Sequence, residues 1–219
     1  MLKTPVLERT VGLDATSSSG VKVIAIAAFL LLCGFFVLLK IDTLFYGGPD
    51  LAHHAALVTR LMEHLDLQAR STDPSLGEMQ VYPACAHVLA ATIGTIVNSP
   101  ILAMHIVVLT VLLVAWSAWA LAAGTLPRPA ALATILFMAF LFLLNDAFIH
   151  LEVLGQEVVG HFFYAQLVAG AMACVALAGV TWLDADYRPA WQQYAFLAVA
   201  ALLLSRTHLL AALQQATVT

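Results

Sequence analysis

A chain of 219 residues that is 62% hydrophobic and 10% charged, with a mean hydropathy of +0.94, carries too little polar surface to be a soluble domain of its size. Its net charge of −4 and its nine scattered Lys and Arg exclude a nucleic-acid surface and a polybasic lipid patch. Three widely spaced cysteines, Cys33, Cys85 and Cys174, exclude a disulfide framework or a zinc motif and read as packing residues. The class that remains is an all-α, polytopic helical membrane protein.

In chain order, residues 1–20 (MLKTPVLERTVGLDATSSSG) are polar and aperiodic, and read as a disordered cytoplasmic tail. The apolar run behind them has too long a head for a signal peptide and no small-residue cleavage site, so it reads as a retained anchor. Residues 23–39 contain no charge, and Lys22 and Lys40 snorkel at the two ends, giving a first span over 21–41. Further spans are expected over 101–123, where His105 is the strongly polar member, and over 162–183, where it is Gln166. Two shorter runs, 130–147 and 191–213, complete a count of about five, all within one transmembrane helical domain over 21–219.

Residues 83–97 are apolar but short for a span, and their placement sets the sidedness of everything that follows. If they cross, Arg128 and Arg188 face the side opposite Lys3, Arg9 and Lys22. If they do not, all these basic residues share the cytoplasmic side and every short loop obeys the positive-inside rule. The second arrangement is adopted. It makes 42–99 one extracytoplasmic loop with two juxtamembrane helices, in a cell-membrane protein whose N-terminus is cytoplasmic. In that topology two outer loops, 42–99 and 145–161, hold nine of the thirteen acids.

Within the first loop, Leu51, Ala55, Val58, Met62 and Leu65 recur at spacings of three and four and predict an amphipathic helix behind the GGP turn, with Arg60, Glu63 and His64 toward water. STDPSLGE breaks the chain, and Tyr82-Pro83 opens the second, mostly apolar helix. Asp50, His53 and His54 stand at i, i+3 and i+4, so one helical turn carries all three, and they are able to converge on a cation or a substrate hydroxyl. The competing reading is that Asp50 caps the helix through its unpaired amides. Asp146, Glu152 and Glu157 follow the fourth hydrophobic segment, either as solvated helix-end acids or as partners of a base. Arg206, beside Thr207 and His208, suits a phosphate that it would hold bidentately, or else snorkels to the surface. Tyr82, Trp182, Trp191 and Tyr194 fit interfacial belt positions.

The order of these parts, GGPDLAHHAALVTRLMEHL, then VYPACAHVLAATIG, then the basic turn LPRPA, then a second acidic loop running into GQEVVGHFFYAQLVAGA, resembles the GT-C superfamily of polytopic glycosyltransferases that use lipid-linked sugars. The resemblance is one of layout and covers about residues 21–210. It implies an extracytoplasmic catalytic acid at Asp50 and a second acidic position at Asp146 or Glu152, with Glu157 less fitting. It also implies a donor whose phosphate is met by His53, His54, Arg206 and His208. No paired D-x-D or E-x-D stands at Asp50, so no metal ligand is assigned and a divalent cation lacks its usual acidic motif. The superfamily has more spans than the five read here, which implies an N-terminal portion of a longer module. Two other classes fit the composition: a polytopic cation or proton transporter, and a non-catalytic accessory subunit of a membrane complex. The expected partners are a lipid-linked sugar donor, membrane lipid and, for the accessory reading, a membrane-complex partner.

Overall fold

The computed structural model describes residues 15–46, 48, 50–64, 73–144, 155, 158–159, 164–185 and 190–207, excepting the side chains at 15–19, 142–143, 185, 190 and 205–207. The elements are α1 Ala15–Leu39, α2 Ile41–Tyr46, α3 Leu51–Glu63, α4 Cys85–Val97, α5 Pro100–Thr125, α6 Arg128–Leu144, α7 Tyr164–Ala185 and α8 Ala190–Thr207. A 3-10 segment, Pro74–Gln80, lies between α3 and α4, and the described residues contain no strand. α1 begins inside the stretch read from sequence as a tail. Once an apolar helix is nucleated, extending it by a turn is cheaper than starting a new one, so the Ser-Ser-Ser-Gly run is drawn into it.

Among the described residues, three helices are long and apolar enough to cross a bilayer: Gly20–Leu39, Pro100–Thr125 and Tyr164–Asp184. The apolar parts of α6 and α8, Arg128–Leu141 and Trp191–Leu204, are shorter. α5 shows how sequence sets such a helix. Ser99 adopts an extended backbone and its hydroxyl accepts from Leu102 N at 3.2 Å, Pro100 supplies a preset first turn, and the helix ends where Leu126 turns extended ahead of Pro127. Asn98, in the left-handed region at φ 53°, closes α4 just before this cap.

Long-range hydrogen bonds orient the bundle. Near the start of α1, the Lys22 ammonium donates to the Gly124 and Leu126 carbonyls, at 3.1 and 2.6 Å, at the end of α5. This places a cation on the negative end of the α5 dipole and satisfies carbonyls the helix leaves open. At the opposite end, His105 in the second turn of α5 lies 3.0 Å from the Leu44 carbonyl of α2 and stacks on Phe45 with ring centroids 4.7 Å apart. α1 and α5 are therefore antiparallel. Phe29 against Trp119 and Phe36 against Trp116 fill the seam between them.

α7 starts at the same end as α5, since their later halves, through residues within 113–121 and 175–182, line one groove. At that end the Tyr164 hydroxyl donates to the Ala86 carbonyl of α4 at 2.8 Å. Ala165 and Ala169 are fully buried, and small side chains of this kind let α7 lie close along α5. α6 packs on α1 and α5, and α8 packs on α7. α4 has 13 residues and spans about 20 Å, well short of a hydrocarbon core. Its first turn meets the start of α7 and its last residue lies just before α5, so both of its ends sit at one end of the bundle. α3 packs on α4 and α5 at that same end.

Candidate functional site

The turn that opens α3 carries the residues of interest. Asp50 occupies the N-cap position, but its backbone is helical (φ −79°, ψ −12°) and its carboxylate makes no capping bond. A side-chain cap needs an extended backbone so that the oxygen can fold back over the first amides, so the carboxylate of Asp50 is left to point elsewhere. It lines a cavity of about 700 Å3, together with His53 and His54. The cavity is completed by Tyr82, by Gln166 from the first turn of α7, and by Ser75 to Met79 of the 3-10 segment.

His53 is exposed, while His54 is turned inward and is 2% exposed. The Nδ1 of His54 lies 2.8 Å from the Nε2 of His87, a residue of the first turn of α4 with no exposed surface. The two rings are close to parallel, with centroids 5.0 Å apart. Tyr82 and Tyr164 pack edge-on or tilted around them at 5.4 to 5.9 Å. Three segments thus converge on one pair of imidazoles: α3 through His54, α4 through His87, and α7 through Tyr164.

The 3-10 segment forms the opposite wall. Asp73 accepts from the amide and hydroxyl of Ser75 at 3.0 and 2.6 Å, which starts the segment, and its second oxygen is 3.0 Å from Arg60 Nε of α3. Arg60 also faces Glu63 at 3.5 Å. Gly77, at φ 53° and ψ −126°, makes the kink that a residue with a Cβ would resist, and it swings Glu78 to the cavity.

Electrostatics separate the roles of these groups. Burial pushes the imidazole of His54 down to about 4; the Asp50 carboxylate acts against that shift and His53 adds to it. His54 is therefore uncharged at neutral pH and offers a hydrogen bond, not a charge. The Tyr82 hydroxyl is raised by burial and by Asp50, so it stays protonated as a donor. The Ser75 hydroxyl and amide hold the Asp73 carboxyl below its ordinary range, with Arg60 adding to the effect. Among the described residues no group of three or more His, Cys, Asp or Glu side chains is arranged to hold a metal ion.

Of the residues singled out from sequence, the structure brings Asp50, His53 and His54 to one cavity. Arg206 belongs to α8, with its side chain outside the described set, and Asp146, Glu152, Glu157 and His208 lie outside the described residues. Sequence reasoning did not single out His87, Tyr164, Gln166 or Glu78, and it assigned Tyr82 to the membrane interface. The signal for His87 was one imidazole in an otherwise apolar run, ACAHVLAATIG, directly after the Tyr-Pro start. Its partner could not be read, because the two histidines are 33 residues apart on different helices. No protein-family model, curated protein or solved structure matches the chain, so the reading of this cavity rests on its own geometry.

Proposed function

We propose that the protein is a membrane glycosyltransferase of the GT-C kind, which transfers a sugar from a polyprenyl-phosphate-linked donor to an acceptor hydroxyl at the extracytoplasmic face of the cell membrane. The observation that carries this reading is Asp50: it stands where a helix cap belongs, yet its carboxylate is not engaged as a cap and borders a cavity of mixed polar and apolar lining at one end of long apolar helices. A site that handles a lipid-borne polar group needs such a cavity beside the bilayer, with hydrogen-bonding groups for hydroxyls and a base within reach.

In this mechanism Asp50 takes the proton of the acceptor hydroxyl as that oxygen bonds to the anomeric carbon. The bond from the anomeric carbon to the phosphate oxygen breaks, and its electron pair leaves with the polyprenyl phosphate. Tyr82 and His54, both uncharged, donate hydrogen bonds to the sugar or to the departing oxygen, and His53 lies at the exposed side of the cavity. The proposed topology has five spans, α1, α5, α6, α7 and α8, with α3 and α4 on the outer surface. What supports it is the balance of charge among the described residues. The cavity end carries Asp42, Asp50, Glu63, Asp73 and Glu78 against Lys40 and Arg60, and the other end carries Lys22 and Arg128 against Asp184, so the cavity end is the acidic one.

The test is transfer of labelled sugar from a panel of polyprenyl-phosphate hexoses by the protein in proteoliposomes. Asp50→Asn is expected to lower turnover roughly 100-fold or more while leaving the thermal midpoint unchanged, the scale of losing a general base. Undiminished transfer by the variant would remove Asp50 from the role.

A further inference from the structure

The pairing of His54 with His87 carries more than the cavity lining alone. Resting on the reading of that cavity as an active site, we propose that His87 is a positioning residue: its Nε2–H donates to His54 Nδ1 and holds His54 as the tautomer protonated on Nε2, a neutral donor directed at the substrate.

A contact of 2.8 Å between two imidazole nitrogens constrains their protons. One nitrogen must carry a proton and the other must not, so the pair shares one proton along that line. Neither ring is suited to a positive charge. Both are buried, and both sit in the first turn of a helix, where the dipole opposes a cation. The downward shift of His54 agrees with this. With both rings neutral, the direction of the bond decides the protonation of every other ring nitrogen in the pair.

The Asp50 carboxylate biases that direction, and the bond from His87 holds it. Asp50 and His54 line the cavity and His87 does not, so the carboxylate and His87 meet His54 from different sides, and we take the negative potential of Asp50 to favour the proton on the nitrogen that does not meet His87, namely Nε2. Nδ1 of His54 then accepts, and His87 Nε2 donates. Tyr164 supports the arrangement from behind: its hydroxyl bond to the Ala86 carbonyl anchors the turn of α4 that carries His87, and its ring lies 5.4 Å from the His87 ring. A neutral N–H suits an oxygen on which negative charge develops, because it strengthens the hydrogen bond as the charge grows without holding a buried ion beforehand.

The experiment is 15N NMR of the histidine-labelled protein in nanodiscs at neutral pH, with the His54 signals assigned by their loss in His54→Gln. The expected spectrum has His54 in one neutral form, protonated on Nε2 and bare on Nδ1. His87→Phe, which keeps a ring but removes the N–H, is expected to release His54 into a mixture of tautomers, and His87→Gln, which restores a donor, to return it to the Nε2–H form. If His87→Phe does not fold, the wild-type and His87→Gln spectra still decide. A wild-type His54 found protonated on Nδ1, or present in both tautomers, overturns the proposal, as does a folded His87→Phe protein with an unaltered His54 signal. In the transfer assay, His87→Phe is expected to lower kcat about tenfold with KM little changed, and His87→Gln to recover most of it. The spectra need no turnover, so a locked tautomer in a protein that transfers no sugar would refute the glycosyltransferase reading and leave the positioning by His87 intact.

Discussion

At the scale of single residues, the decisive fact is that adjacent histidines have opposite fates. Successive side chains on a helix point about 100° apart, so a docked helix that exposes His53 turns His54 into the protein. The apolar stripe read from sequence, Leu51, Ala55, Val58, Met62 and Leu65, is rotated from the face that is buried, which is centred on His54, Leu57, Val58 and Leu61. The burial has a measurable consequence. His54 takes up a proton near its ordinary 6.5 in the unfolded chain but only near 4 in the folded one. The folded-state value is depressed, so its contribution to stability is complete above about 6.5 and declines as pH falls from there toward 4. The full decline is of order 3 kcal/mol. Thermal unfolding in detergent between pH 7 and 4 should show this loss, and His54→Gln should flatten that part of the profile. A wild-type curve already flat over the same range would mean that His54 is not held uncharged.

Helix elements meet at the site through small residues. Ala86, Ala90, Ala91 and Gly94 make a fully or nearly fully buried face on α4, and at Gly94 the fit to α3 is tightest, since a Cβ there would lie 2.5 Å from Met62 Sδ. Because the His54–His87 contact spans the same two helices, their spacing controls it. Gly94→Leu should drive the helices apart at a cost of about 1–3 kcal/mol, with Gly94→Ala milder because the end of the Met62 side chain is able to swing away. The check is the thermal midpoint together with the NMR signature of His54: the leucine variant should lose both stability and the single tautomer. A leucine variant with wild-type values for both would show that α3 and α4 are not held by this contact. The shortness of α4 was legible from the sequence, as was its start after Tyr-Pro. Which neighbours it touches was not, since a 13-residue apolar helix of this kind fits either a protein surface or a lipid face.

At the scale of the molecule, the described residues make the cavity end the more acidic one, with Lys40 and Arg60 among its carboxylates and Asp184 at the opposite end. Lys22 caps α5 beside the Arg128 turn, while the cavity and its carboxylates lie at the other end, near the starts of α5 and α7. In the proposed topology these ends face opposite sides of the membrane. In a background with Cys33→Ala, Cys85→Ala and Cys174→Ala, an impermeant thiol reagent added to intact cells should modify Glu78→Cys and leave Arg128→Cys untouched until the cells are opened. Labelling of both positions, or of Arg128→Cys alone, would reverse or dissolve the assigned sidedness and with it the extracytoplasmic placement of the cavity.

The sequence by itself determined the helical class, the three long apolar helices and the cluster of Asp50 and two histidines at the head of an amphipathic segment. Those features depend on composition, run length and spacing within one helix, and all of these are local. Only the tertiary structure decided that Asp50 would serve the cavity instead of a cap, that His54 would find His87, that Tyr164 would fasten α7 to α4, and that Lys22 would close the end of α5. Each of these last three contacts joins residues 33 to 104 positions apart. They follow from how helices rotate and dock to bury their surfaces, and no single segment contains that information.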